Sequence, residues 1–112
     1  MAACLVSAAV VRTVTLDGDY GCGVLTVQAQ RIAAMKTIYD AGKLWMQGRE
    51  TTASRGAYFD AVNRLAALSK TACIPVVGQF PVLEARLVEG VQAVRVEPRG
   101  SASVWVLTPF DK

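Results

Sequence analysis

The chain has 112 residues, of which 53% are hydrophobic and only 19% are charged, a size and composition typical of one folded domain. These figures exclude a disordered tail, a collagen-like repeat and a disulfide-dense miniprotein, which are respectively too polar, too glycine-periodic or much richer in cysteine. The net charge is +3, and the excess of basic residues falls within residues 31–70. We therefore expect a single domain over residues 1–112.

The sequence contains no histidine, so catalytic triads with a histidine base and histidine metal sites cannot form within this chain. Cys4, Cys22 and Cys73 lie far apart, which predicts neither a zinc site nor a C-x-x-C redox motif. An odd number of cysteines leaves at least one unpaired, which favours a reducing compartment, cytoplasmic or within a virion. One bridge with one free thiol is also compatible. No metal and no cofactor are predicted.

The first eleven residues are apolar, but they lack the basic residues that open a signal peptide and are too short to span a bilayer. Because no other segment has transmembrane length, we expect a soluble chain without membrane association. We interpret Ala8–Leu16, rich in β-branched residues, as a strand. The Asp- and Gly-rich residues 17–23 are predicted to end it. Val24–Ala29 either returns as a second strand, which we favour slightly, or begins a helix.

Two amphipathic helices are predicted in the middle of the chain. The first runs from about residue 30 to 47. The second is capped by Thr52 or Ser54 and ends before Ile74-Pro75, which breaks a helix. The short join Gly48–Thr51 makes the two helices an antiparallel pair. The apolar face of the first helix consists of Val27, Ala34, Ile38, Ala41 and Trp45.

The last forty residues are predicted to form an antiparallel β-meander. A two-residue turn at Glu89-Gly90 places Glu84 opposite Arg95. A second turn at Arg99-Gly100 places Val94 opposite Trp105. The two helices would cover the resulting apolar face, which gives an α+β two-layer sandwich of an N-terminal strand or hairpin, two antiparallel helices and the meander. That face consists of Leu83, Ala85, Leu87, Val94, Val96, Trp105 and Leu107.

The arginines of the meander suggest one function, since Arg86, Arg95 and Arg99 would clamp a phosphate if they converged on the polar face. Two helices followed by a meander resemble the element order of RelE/ParE-type bacterial toxins, over the last two-thirds of the chain and without a specific motif. The resemblance implies a ribonuclease or gyrase poison. Such ribonucleases use a Tyr or His near the C-terminus, where this chain has Phe110 and Lys112. Further nucleic-acid-binding candidates are Lys43, Arg49 and Arg55.

The preferred prediction is a non-enzymatic module that forms oligomers or docks on a partner protein. Several apolar residues do not fit on the covered face, and contiguous exposed apolar area is unusual in a monomer. The small size and the absence of a catalytic set favour an assembly or accessory component of a virus particle or mobile element. The ribonuclease-like toxin is the alternative. The predicted partner-binding residues are Val88, Val91, Val104, Val106 and Phe110.

Overall fold

A computed structural model describes residues 12–108 of the chain. It confirms the α+β class, the pair of antiparallel helices and the C-terminal meander. The first eleven residues, which include Cys4 and the beginning of the predicted strand Ala8–Leu16, lie outside the described residues, as do Phe110 and Lys112. The elements in chain order are β1 (Thr13–Cys22), α1 (Leu25–Met46), α2 (Thr52–Ala72), β2 (Cys73–Pro81), β3 (Glu84–Val88), β4 (Val91–Val96) and β5 (Val104–Leu107).

Strand β1 continues past Asp17 and ends only at Cys22, near the far end of the segment 17–23 that was predicted to end it. The pairing with β2 shifts between Asp17 and Asp19, and Gly18 between them has φ +92°. This is a β-bulge, in which an extra residue bends a strand without ending it. Glycine adopts the required positive φ without steric cost. The prediction of a turn here was therefore wrong.

The hairpin partner of β1 is β2 and not Val24–Ala29, which lies largely within the first turns of α1. The two strands pair from Thr13 opposite Pro81 to Cys22 opposite Cys73. The helical hairpin α1–α2 is thus inserted between two adjacent antiparallel strands. The slightly favoured prediction of a second strand at Val24–Ala29 was therefore wrong. The strand that pairs with β1 lies about fifty residues further along the chain.

The two helices are joined by a tight link and a capping box. Gly48 has φ +69°, and Thr51 is the N-cap of α2. The Ser54 backbone N–H donates to Thr51 Oγ1 (3.0 Å), and the Thr51 N–H donates to Ser54 Oγ (2.9 Å). This reciprocal pair satisfies two backbone donors at the helix start. The cap is therefore Thr51, and not Thr52 or Ser54 as predicted.

The five strands form one antiparallel sheet of order β2-β1-β5-β4-β3, whose two edge strands follow each other in the chain. The edge strands β2 and β3 are joined by only Val82 and Leu83. The Val82 N–H donates to the Arg12 carbonyl before β1 (2.8 Å), and the Leu83 N–H donates to the Arg95 carbonyl in β4 (2.9 Å). The sheet is therefore rolled around an interior formed by its own side chains. The buried cluster consists of Leu16, Val76, Val94, Val96, Val104 and Val106.

The register of the meander is as predicted in its first hairpin and shifted by one residue in its second. Glu84 lies opposite Arg95, across the predicted turn. The second turn also forms, with the Ser101 N–H donating to the Pro98 carbonyl. However, Val94 pairs with Val106 and not with Trp105. A shift of one residue turns every side chain of a strand to the other face.

Helix α1 lies against the outer face of the rolled sheet. Ile32 and Met35 line a groove together with Val91 and Leu107, whose side chains alternate with those of the core valines. Gln28 fixes the contact, since its Nε2 donates to the backbone carbonyls of Tyr20 (3.0 Å) and Trp105 (2.6 Å). The sheet thus buries its inner face on itself, and the base of the helical hairpin covers the part of the outer face around Ala93 and Trp105.

A disulfide bond joins Cys22 to Cys73, the last residue of β1 to the first residue of β2. Both cysteines are buried at the base of the helical hairpin. Because disulfides persist in oxidising compartments, this bond gives no support to the expected reducing compartment, nor does any feature of the fold support a virion. No helix within residues 12–108 is long and apolar enough to cross a membrane.

Candidate protein-interaction surface

The apolar stripe of α1 extends further than the sheet that covers it. Ile32, Met35, Tyr39, Gly42 and Met46 recur at spacings of three and four and so lie along one side of the helix. Ile32 is buried and Met35 half-buried against the sheet. The helix is about 33 Å long, whereas the four to six residues of β5 and β4 span about 13–20 Å. Tyr39 still lines the groove that α1 forms with Val91 and Leu107 of the sheet, so only the last part of the stripe, Gly42 and Met46, extends beyond the sheet.

Large apolar side chains are exposed at this far end of the hairpin. Tyr39 is 68% exposed, Trp45 64%, Met46 79% and Phe59 57%. The Phe59 ring packs edge-on against Tyr58, with the ring centroids 5.4 Å apart. We call these five residues the distal surface. An exposed aromatic cluster of this kind is typical of a protein interface.

A groove crosses the distal surface between the two helices. It has a volume of about 450 Å³ and is lined by Gly42 and Trp45 of α1 and by Tyr58 and Phe59 of α2, among others. Gly42 has no side chain to fill the groove, and nothing lies within 4 Å of the position a Cβ would occupy.

The rim of the groove is charged. Arg55 Nη2 donates to Glu50 Oε1 (2.8 Å), and this hydrogen bond raises the pKa of Arg55. Lys43 Nζ lies 5.9 Å from the centroid of the Tyr39 ring, and neither residue is among those that line this groove. An apolar centre with a polar rim is the usual anatomy of a protein–protein contact.

The predicted partner-binding residues do not form one surface. Val104 and Val106 are buried in the core, because the register of β5 differs by one residue from the predicted one. Val88 and Val91 are half-buried at the turn between β3 and β4. Phe110 lies outside the described residues. The predicted outward-facing patch was therefore wrong for Val104 and Val106.

The predicted phosphate clamp has a carboxylate at its centre. Arg86 Nε donates to Glu84 Oε2 (2.8 Å), and Arg95 Nε donates to Glu84 Oε1 (3.2 Å). The hydrogen bond from Arg86 is the main cause that lowers the pKa of Glu84, and the one from Arg95 adds to it. Arg99 is exposed in the turn before β5. Two of the three arginines therefore already hold an anionic group.

One of the three basic candidates on the helical hairpin is paired with an acidic residue, and the other two are exposed. Arg55 pairs with Glu50, while Arg49 is exposed in the link between the helices and Lys43 in α1. Nucleic-acid binding usually relies on a continuous basic stripe, and these three basic residues are not arranged as such a stripe.

A polar cluster between the helices and β1 was not predicted. Arg31 is only 9% exposed, with its Nε donating to Ser69 Oγ (3.0 Å) and its Nη1 donating to Gln28 Oε1 (2.7 Å). Its Cζ lies 5.3 Å from the centroid of the Tyr20 ring. Burial lowers the pKa of Arg31, and Tyr20 partly opposes this effect. The available signal was the placement of Gln28 and Arg31 on the otherwise apolar side of α1.

No protein-family model, curated protein or solved structure matches this chain. Within residues 12–108, no group of three or more histidine, cysteine or acidic residues is placed to hold a metal ion. The functional conclusion therefore rests on the geometry described above.

Proposed function

We propose that this chain is a non-enzymatic protein-interaction module that associates with a second copy of itself through the distal surface of its helical hairpin. The observation that carries the proposal is the exposure of Tyr39 and Met46 at the far end of a stripe whose other end is buried, with Trp45 and Phe59 exposed beside them at the same end of the hairpin. When one end of an apolar helix face is buried and the other end is exposed, a further helix or strand that packs on the exposed end buries the rest of that face.

The distal surface supplies more than half of the area that stable association requires. Its four most exposed side chains present roughly 500 Å², since each aromatic side chain carries about 150–250 Å². A stable interface takes about 800 Å² from each partner. Val62 and Leu65 of α2 are half-buried in the hairpin and would add area beside the groove.

The charge of this region favours a second copy as the partner. Residues 37–60 contain three basic and three acidic residues, so two copies would not repel each other strongly. Two helical hairpins packed through their apolar sides would form a four-helix bundle, a stable and common arrangement. A two-fold contact of this kind is self-complementary, so each groove would receive the partner's exposed aromatic side chains.

The test compares two matched substitutions by sedimentation velocity over a range of concentrations. Met46 is 79% exposed on the distal surface, and Leu87 is 78% exposed on β3, outside it. We expect the wild type and Leu87→Glu to sediment as dimers at high concentration. Met46→Glu should remain monomeric, because it places a charge in the centre of the contact.

Circular dichroism checks that both variants keep their helices. A wild-type chain that is monomeric at every concentration contradicts the proposal. So does equal loss of the dimer in Met46→Glu and Leu87→Glu, since that result would place the contact elsewhere or make it non-specific.

The disulfide indicates where such a module would act. The buried bond between Cys22 and Cys73 favours an oxidising compartment, and we place the protein there. The bond also ties together the two chain ends of the helical hairpin, so the hairpin is presented to a partner on a closed base.

A further inference from the structure

Arg31 is a buried cation whose protein partners are all neutral. Its Nε and Nη1 donate to the Ser69 hydroxyl and to the Gln28 amide oxygen. Among residues 12–108, no carboxylate oxygen lies within 4.0 Å of its guanidinium nitrogens. A buried charge is usually paired, because its desolvation is otherwise uncompensated. Within residues 12–108, no carboxylate therefore neutralises the charge of Arg31, and a bound anion would do so.

The network around Arg31 is rigid and leaves donors unused. Both Nε2 hydrogens of Gln28 are taken by the carbonyls of Tyr20 and Trp105, which fixes the Gln28 Oε1 toward Arg31. Of the five guanidinium N–H groups, two are bonded to described protein atoms and three remain. The guanidinium is thus held in place with part of its planar fork free to receive a carboxylate in two parallel hydrogen bonds.

A cavity adjoins the guanidinium. It has a volume of about 290 Å³ and is lined by Gly18, Asp19, Tyr20, Arg31, Met35 and Leu107. It lies beyond the point where β1 and β5 stop pairing, at Gly21 opposite Val106, and beside the bulge at Gly18. The wall contains one cation, one acidic residue, an aromatic ring and two apolar side chains. This volume is at the lower end of the range for small-molecule sites.

We infer that this cavity binds a small zwitterion, an aliphatic α-amino acid, with its carboxylate on Arg31 and its ammonium group toward Asp19. The bidentate fork of Arg31 matches a carboxylate. The negative charge of Asp19 on the same wall disfavours a doubly charged phosphate and favours a ligand that also carries a cation. Met35 and Leu107 provide apolar contacts for the aliphatic side chain.

The inference is independent of the proposed self-association, because the cavity lies at the sheet end of α1. It predicts an order of affinity among three probes that share the isobutyl side chain of leucine. Leucine carries both charged groups, 4-methylpentanoate only the carboxylate and isopentylamine only the ammonium. We expect leucine to bind more tightly than 4-methylpentanoate. Isopentylamine and inorganic phosphate should not bind.

The experiment is a titration of the full chain followed by two-dimensional NMR and by isothermal calorimetry. Saturable shifts should appear at the amides of Tyr20, Met35 and Leu107. Arg31→Gln should weaken leucine binding by at least about tenfold, because it removes a charge-assisted bidentate contact. Arg49→Gln removes an exposed arginine in the link between the helices and should leave binding unchanged.

A second variant keeps the test decisive if Arg31→Gln does not fold. Met35→Trp keeps Arg31 and fills the cavity, and it should abolish leucine binding while the helical spectrum is retained. The inference is overturned if neither leucine nor 4-methylpentanoate produces saturable shifts, if phosphate binds as tightly as the carboxylates, or if Met35→Trp binds leucine like the wild type.

Discussion

Glu84 is the residue on which two arginines of the rolled sheet converge. It accepts from Arg86 on its own strand and from Arg95 on the adjacent strand β4. These hydrogen bonds, that of Arg86 first, lower the pKa of Glu84 in the folded chain. A carboxyl whose pKa is lowered by folding stabilises the fold above its unfolded-state pKa, and the stabilisation is lost as the pH falls through the folded-state pKa.

Replacement of Glu84 by glutamine tests this pH dependence. We expect the wild type to be more stable than Glu84→Gln at neutral pH, by a small amount because the pair is solvent-accessible. The difference should vanish in strongly acidic solution, below the usual range for glutamate. Urea unfolding at a series of pH values measures it. Glu97→Gln, in an exposed segment after β4, serves as the control, and a wild-type advantage that persisted in strong acid would contradict the account.

At the residue scale, local pairs were predictable and distant ones were not. The contact between Glu84 and Arg95 followed from a single short turn. The cluster of Arg31 with Gln28 and Ser69 brings together two helices, and Ser69 lies 38 residues beyond Arg31. Helical periodicity assigns a residue to one side of a helix, but it does not show which polar side chain of another helix it meets.

At the scale of elements, the start of α2 depends on the capping box of Thr51 and Ser54. Thr51→Ala removes the hydroxyl that accepts from the Ser54 N–H and should lower the free energy of unfolding by about 1 kcal/mol. Thr52→Ala, one residue further on, removes an exposed hydroxyl outside the capping box and should change it by a few tenths at most. Urea unfolding of both variants compares them. Equal effects of the two substitutions would show that the box does not stabilise the helix.

The element order was predictable because the helices and the first hairpin of the meander depend on local patterns. The side of the sheet on which each β5 side chain lies was not predictable. The segment between the Arg99-Gly100 turn and β5 is one residue longer than a two-residue hairpin allows, which shifts the register of β5 by one residue. The continuation of β1 past Asp17 was also missed. A glycine with positive φ serves a bulge as well as a turn, and only the distant partner strand β2 decides between them.

At the scale of the whole molecule, the disulfide closes the base of the helical hairpin. Cys22 and Cys73 are 51 residues apart, and a bridge over a loop of this length stabilises a fold by about 4 kcal/mol in the chain-entropy description. The double variant with serine at both positions should lose about this amount in urea unfolding. Thr15→Ser, at an exposed position of β1 outside the bridge, should keep nearly the wild-type stability. Equal stability of the double variant and the wild type would contradict a structural role for the bond.

The high fraction of hydrophobic residues predicted exposed apolar area that a partner would cover, but it did not predict where on the molecule this area lies. The prediction chose valines of the sheet, two of which the rolled sheet buries itself. Exposed apolar side chains lie on the helical hairpin, whose helices are longer than the sheet they cover, and also on the edge strands and the link between them, at Val77, Leu83 and Leu87. The difference in length between the helices and the sheet can be inferred from the sequence only once the sheet topology is known.

The most direct test of self-association is the fluorescence of Trp45. Trp105 is 8% exposed in the sheet, and Trp105→Phe leaves Trp45, 64% exposed in the monomer, as the single reporter on the distal surface. With rising protein concentration, we predict a blue shift of the emission and a loss of quenching by iodide, both abolished by adding Phe59→Glu. A Trp45 that stays red-emitting and fully quenchable at all concentrations would contradict the proposed contact.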